Sequence, residues 1–158
     1  MKYLLFLLFP VLLFSYEAKV IKVRSGSYIT VQSNTNIIQV KLWGIDAPDS
    51  SQKYSYESMM FLSNMIFNKT VQIKDVFIDP FGRPHSLISY NNIGINFMQI
   101  TNGNCVVYFI DTPPPDTKLK WKTAEAEAKI EKIGLWKYNQ VSPYQSRMMR
   151  FQQMQEKK

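Results

Sequence analysis

Between residues 18 and 43 the chain leaves no room for a helix. Three apolar-alternating runs, 18–23, 28–32 and 37–43, are separated only by the polar turns 24–27 and 33–36, and a period of two bounded by turn residues is the pattern of short strands joined as hairpins. Three such strands in succession make a meander, and the strong twist of short paired strands favours closure into a barrel over a flat sheet. The period then changes. Tyr54, Met59, Phe61, Leu62, Met65 and Ile66 recur at mostly three- to four-residue spacing, which predicts an amphipathic helix over 53–67. Alternation returns at 70–77 and near 85–90 for a fourth and fifth strand, with Asp79, Pro80, Phe81 and Gly82 between them in type I turn order. A short helix near 95–101 ends at Gly103, and 106–110 is apolar and extended. Three prolines make 111–116 a surface loop, and 122–132 reads as a helix stopped by Gly134, with Trp136 folding back as an anchor. Residues 141–158 place Tyr144, Met148 and Phe151 at helical spacing beside Arg147 and Arg150. This order predicts an α+β chain, a five-stranded OB-type β-barrel capped by about three helices.

The third strand delivers charge to one place. Val40, Lys41, Leu42, Trp43 and Gly44 lead into Ile45, Asp46, Ala47, Pro48 and Asp49, and Pro48 holds Ala47 extended and ends the strand. Two carboxylates three residues apart on a rigid turn, with a lysine just before them, suit a hard cation or an ion pair. The plainer reading is an aspartate that accepts backbone N–H bonds within an Asp-x-Pro turn.

A chain of 158 residues is enough for one packed domain, and its 46% hydrophobic and 14% aromatic content does not suit disorder. The first fifteen residues differ in kind: Lys2, an apolar run over 3–14, then Ser15. That run is too short to cross a bilayer core of roughly 30 Å, so 1–15 reads as a cleaved secretory signal, with a retained anchor as the alternative. The rest divides into a domain over 16–137 and a basic helix or tail over 138–158, expected outside the cytoplasm, periplasmic or secreted. Cys105 is the single cysteine, so an internal disulfide is excluded, and it reads as a small buried hydrophobe. The net charge of +7 is concentrated at the C-terminus: 16–116 carry eight Lys/Arg and eight Asp/Glu, whereas 137–158 carry five Lys/Arg and one Glu. Such a tail attracts nucleic acid or an anionic membrane surface, or is simply solvated. His85, the sole histidine, reads as a surface imidazole beside Pro84, and Glu125 and Glu127 as solvated helix charges.

Three motifs carry a resemblance. They are Leu42 to Asp49, then Asp79, Pro80, Phe81, Gly82 and Arg83, then Ala124 to Lys129 running on to Gly134, Leu135 and Trp136. In that order and spacing they resemble the staphylococcal-nuclease-like, or thermonuclease, family of secreted calcium-dependent phosphodiesterases, over residues 18–136. The resemblance implies metal-dependent cleavage of single-stranded DNA or RNA by a monomer with no small-molecule cofactor. It implies Ca²⁺ held by Asp46, by the Ala47 carbonyl and by the first turn, where Ser27 stands for the family's aspartate. It implies catalysis by Asp49, which positions water, and by Lys41 and Arg83, which brace the phosphate, with Phe81 and Phe109 contacting nucleic acid.

The pattern departs from the family at three of these positions. Ser27 replaces a charged ligand, Lys41 an arginine whose fork fits phosphate, and Asp49 a glutamate one methylene longer. Weak calcium binding, roughly 10⁻⁴ to 10⁻³ M, and reduced activity are the expectation. The alternative function is a non-catalytic nucleic-acid-binding module, with Lys41 filling the cation's place between Asp46 and Asp49, or an envelope-associated interaction protein.

Overall fold

A computed structural model describes residues 15–156, so the segment read as a secretory signal lies, but for Ser15, outside the described residues. In chain order the elements are β1 (Ser15–Ser25), β2 (Tyr28–Ser33), β3 (Asn36–Leu42), β4 (Ile45–Asp46), α1 (Ser55–Ile66), β5 (Thr70–Ile78), β6 (Pro84–Tyr90), β7 (Ile93–Gly94), α2 (Ile95–Thr101), β8 (Val106–Val107), α3 (Pro115–Ile130), a 3-10 turn (Gly134–Lys137) and α4 (Pro143–Glu156).

The first three strands pair antiparallel as a meander, β5 adds to β1, and β6 adds to β5. β6 then returns to β3 in a parallel pairing, Lys41 opposite His85 and Leu42 opposite Ser86. That pairing closes a mixed five-stranded barrel of OB type with four α-helices around it, the α+β class expected. Register breaks between Val20 and Lys22 and between Asp75 and Phe77 bend the long strands enough to close the ring. Val20, Ile29, Val31, Val40 and Ile73 point inward with no exposed surface, each such burial contributing about 1.5–3 kcal/mol before chain entropy is counted.

Side-chain amides tie the helices to the barrel mouth. Asn96 of α2 donates to the carbonyls of Trp43 and Ser86 at 2.9 and 3.0 Å and accepts from the Ile88 N–H. Gln99 donates to the Gly26 carbonyl at 2.6 Å and accepts from Asn104, whose carbonyl takes the Ser58 hydroxyl. A Cβ on Gly26 would lie 1.8 Å from the Ser58 oxygen, so the first turn has glycine because α1 presses against it.

Three expectations are corrected. α3 begins at Pro115 rather than near 122, because a proline at the first helical position lacks only an N–H that would be unpaired anyway. Glu125 is buried, 5% exposed, and accepts the Val107 N–H at 2.7 Å while Lys122 and Lys129 reach its other oxygen. The two-residue strand β8 leaves a donor unpaired, and the carboxylate satisfies it. His85 is also buried, stacked on Phe77 with centroids 4.4 Å apart, because its place in β6 puts it between the sheet and the 79–83 turn.

Candidate active site at the barrel mouth

The mouth is built where β3 runs into β4. Hydrogen bonds from Leu42 N–H to the Ser27 carbonyl and from Trp43 N–H to the Ser86 carbonyl fix the strand against the first turn and β6. Gly44, at φ +74, makes the sharp exit; a Cβ there would sit 2.6 Å from the Trp121 ring and 2.8 Å from Phe109. Asp46 then pairs with Val106 in the small β4–β8 sheet, which leaves its side chain nearly buried at the rim.

Arginines from α4 hold both carboxylates of the turn. Arg147 donates from Nη1 to Asp46 Oδ1 at 3.1 Å and from Nη2 to Oδ2 at 2.7 Å, a bidentate fork. Arg150 reaches Asp49 Oδ2 and the Ser51 hydroxyl. The start of α4 is hooked down by Gln52, which donates to the Val141 carbonyl at 2.7 Å, by Gln140 donating to the Lys53 carbonyl, and by Tyr144 stacked on Tyr108 at 5.5 Å. The cation that neutralises the acidic turn therefore comes from the C-terminal helix and not from Lys41. Lys41 lies over the Tyr28 ring instead, its ammonium 5.9 Å from the centroid. Burial lowers its pKa, Arg83 and Arg147 lower it further, and Asp46 and Asp79 oppose them.

Arg83 is anchored by Asp79. Its Nε donates to Asp79 Oδ2 at 2.8 Å, while the backbone N–H groups of Phe81 and Arg83 both donate to Oδ1. Burial would raise the Asp79 pKa, but those bonds and the guanidinium hold it well below the usual carboxylate range. Phe81 stands 81% exposed with the Arg83 guanidinium 4.9 Å from its ring centroid on one face, which leaves the opposite face open. Phe109 is not brought to that platform. It lies in an aromatic cluster, 5.2 Å from Trp43 and stacked at 5.6 Å on Trp121. Its neighbour Tyr108 faces α4 through the stack with Tyr144; burial raises the Tyr108 pKa, Tyr144 and Asp46 raise it further, and Arg147 opposes them.

Ser27 accepts the Ala47 N–H at 3.2 Å. With both Asp46 oxygens on Arg147 and only a neutral hydroxyl at Ser27, the donors assigned to Ca²⁺ leave it no free carboxylate among them and do not fit a divalent cation as they are folded. Among the described residues no group of three or more His, Cys, Asp or Glu side chains comes together in a way that could hold a metal ion.

The sequence reading named Lys41, Asp46, Asp49 and Arg83; the fold puts the two carboxylates on one turn, Lys41 on the strand before it and Arg83 two residues before the register partner of Lys41, and Ala47 is hydrogen-bonded to Ser27. That reading missed Arg147, Arg150, Tyr108 and Tyr28. The clustering of positive charge beyond residue 137 was the one available sign of the arginines, and it could not say where they dock.

Residues 39–138 match the family described as staphylococcal nuclease homologue. The chain is 26% identical over 130 residues to the micrococcal nuclease of Shigella flexneri, covering 77% of this chain and 74% of that one. It is 29% identical over 131 residues to an uncharacterized endonuclease of Haemophilus influenzae, covering 82% and 71%. A probable endonuclease of Saccharomyces cerevisiae is 29% identical over 121 residues, which is 68% of this chain and 44% of that protein. α4 lies beyond the matched span.

Proposed function

The chain belongs to the staphylococcal nuclease homologue family, and from that premise we propose that it acts on nucleic acid as a phosphodiesterase of reduced activity. The observation that carries this is the closure of the barrel itself: Lys41, on the strand that leads into Asp46 and Asp49, is the register partner of His85, two residues beyond Arg83. Lys41 and Arg83 brace the non-bridging oxygens of a phosphodiester as charge builds on them, and Asp49 orients the attacking water. Phe81 offers its open face to a base of a single strand, where stacking needs no particular sequence. Tyr108 takes the second aromatic role first assigned to Phe109.

Arg150 holds one Asp49 oxygen, and that supports slow hydrolysis in the folded state with α4 in place. Calcium dependence, as the family resemblance implies it, requires Asp46 to be released from Arg147, so no step here passes through a metal. The same arrangement supports a second reading, a binding module without turnover. The structure speaks against a role for the tail at anionic membranes, because both of its arginines are committed to the acidic turn. No helix of the described residues is long and apolar enough to cross a membrane. Export to the periplasm or medium is the reading we keep for the N-terminal segment, and a monomer is the form we propose acts.

The experiment is a cleavage assay with labelled single-stranded DNA and RNA, in millimolar calcium and in chelator, on the wild type and Arg83→Ala. Loss of one preorganised donor lowers the rate by about 100- to 1,000-fold. Cleavage that Arg83→Ala leaves unchanged belongs to a contaminant and ends the catalytic reading.

A further inference from the structure

We propose that Arg147 is the resident cation of this site, and that Lys41, Arg83 and Arg147 together bind a nucleic-acid phosphate without any metal ion. The proposal rests on the reading of the mouth as a phosphodiester site and says what neutralises the substrate there.

Without α4, the site holds Asp46, Asp49 and Asp79 against Lys41 and Arg83, an excess of one negative charge that repels a phosphate and calls for a cation. Arg147 and Arg150 reverse it: three carboxylates face four cations, and the single excess positive charge is what one phosphodiester neutralises. The helix changes the sign of the site, which is what a bound divalent ion would do for a more acidic version of it.

A guanidinium has five N–H donors in a rigid fork, and Asp46 takes two of them at 3.1 and 2.7 Å. The remaining donors belong to a side chain that is 42% exposed, held by a carboxylate that is 12% exposed. Arg147 is therefore fixed from below and open above, an arrangement suited to accepting phosphate oxygens without first ordering a long side chain. Its placement is set by the buried Pro143 and the Tyr144–Tyr108 stack, not by the ligand.

Ser27 brings no formal charge and one lone pair of its hydroxyl is taken by the Ala47 N–H, so the ligand that would help a metal compete with Arg147 for this place is weak. The exchange of a charged ligand for serine and the arrival of an arginine act in the same direction.

The test is fluorescence anisotropy of a short labelled single-stranded DNA against the purified protein, in chelator and in millimolar calcium, for the wild type, Arg147→Met and Arg147→Lys. α4 contributes no residue to the barrel core, so each variant is expected to keep its fold, which thermal melts check. The wild type binds equally in both media. Arg147→Met weakens binding in chelator roughly tenfold or more and lowers the slope of log affinity against log salt by about 0.7, one phosphate contact for a single strand. Arg147→Lys, which keeps the charge and loses the fork, falls between. A wild type that binds only in calcium, or an Arg147→Met that binds in chelator as well as or better than the wild type, overturns the inference and leaves the nuclease reading standing. Absence of binding by every form in both media ends both.

Discussion

Lys41 and His85 are register partners in the parallel pairing that closes the barrel, so a buried imidazole sits beside the site's own lysine. Burial lowers the His85 pKa, Lys41 lowers it further, and Asp79, with Nε2 to Oδ2 at 3.5 Å, only partly offsets them. The folded protein therefore holds His85 neutral at a pH where the unfolded chain protonates it. The unfolded state then binds the extra proton, so stability falls as pH drops below about 6.5 and levels off once the folded-state pKa is passed. Thermal melts from pH 7.5 down to 5 are expected to show this loss, and His85→Gln to flatten it.

Removing the fork from Asp46 exposes what the acidic turn prefers in its place. Arg147→Met leaves a carboxylate that is 12% exposed without its partner, and because the arginine is itself 42% exposed, the loss of stability is about 1 kcal/mol or less. Calcium gains a vacant oxygen pair in exchange. At ten times a dissociation constant of about 1 mM, mass action adds about 1.4 kcal/mol, or roughly 3 to 5 °C in melting temperature. That rise is expected in Arg147→Met and not in the wild type, as read by differential scanning fluorimetry.

Glu125 supports β8 from inside the protein. Truncating it in Glu125→Ala strands the Val107 N–H, which costs about 1–3 kcal/mol. Glu125→Gln keeps an acceptor oxygen, loses the attraction to Lys122 and Lys129, and should cost less. Urea unfolding of the two variants orders them.

Gly44 has no substitute. Gly44→Ala meets both a left-handed backbone angle and two aromatic rings closer than 3 Å. Displacing Trp121 or Phe109 opens the cluster around Trp43, with an expected cost above about 2 kcal/mol, measured by the same unfolding assay.

The barrel was legible because period-two alternation and polar turns are local signals, and the strands expected at 18–43, 70–77 and 85–90 lie within β1 to β3, β5 and β6 to within a residue or two. The two carboxylates and the lysine were legible for the same reason, being a few residues apart on one strand and its turn. What failed depended on neighbours distant in sequence. Nothing near Glu125 announces the unpaired Val107 N–H eighteen residues earlier, and nothing near His85 says that Phe77 covers it. Arg147 and Asp46 are 101 residues apart, and a helix of mixed polar and apolar residues carries no mark of where it will dock. The expectation that Lys41 would fill the cation's place had the charge right and the donor wrong.

Five residues, 138–142, join the 3-10 turn to α4. So short a leash keeps the two arginines at millimolar effective concentration beside their carboxylates, and a grip of modest strength suffices. A single protease nick in that leash would turn the helix into a free peptide, diluted away at assay concentrations. The remaining barrel would present an uncovered acidic mouth, and its response to ions would be that of a different protein.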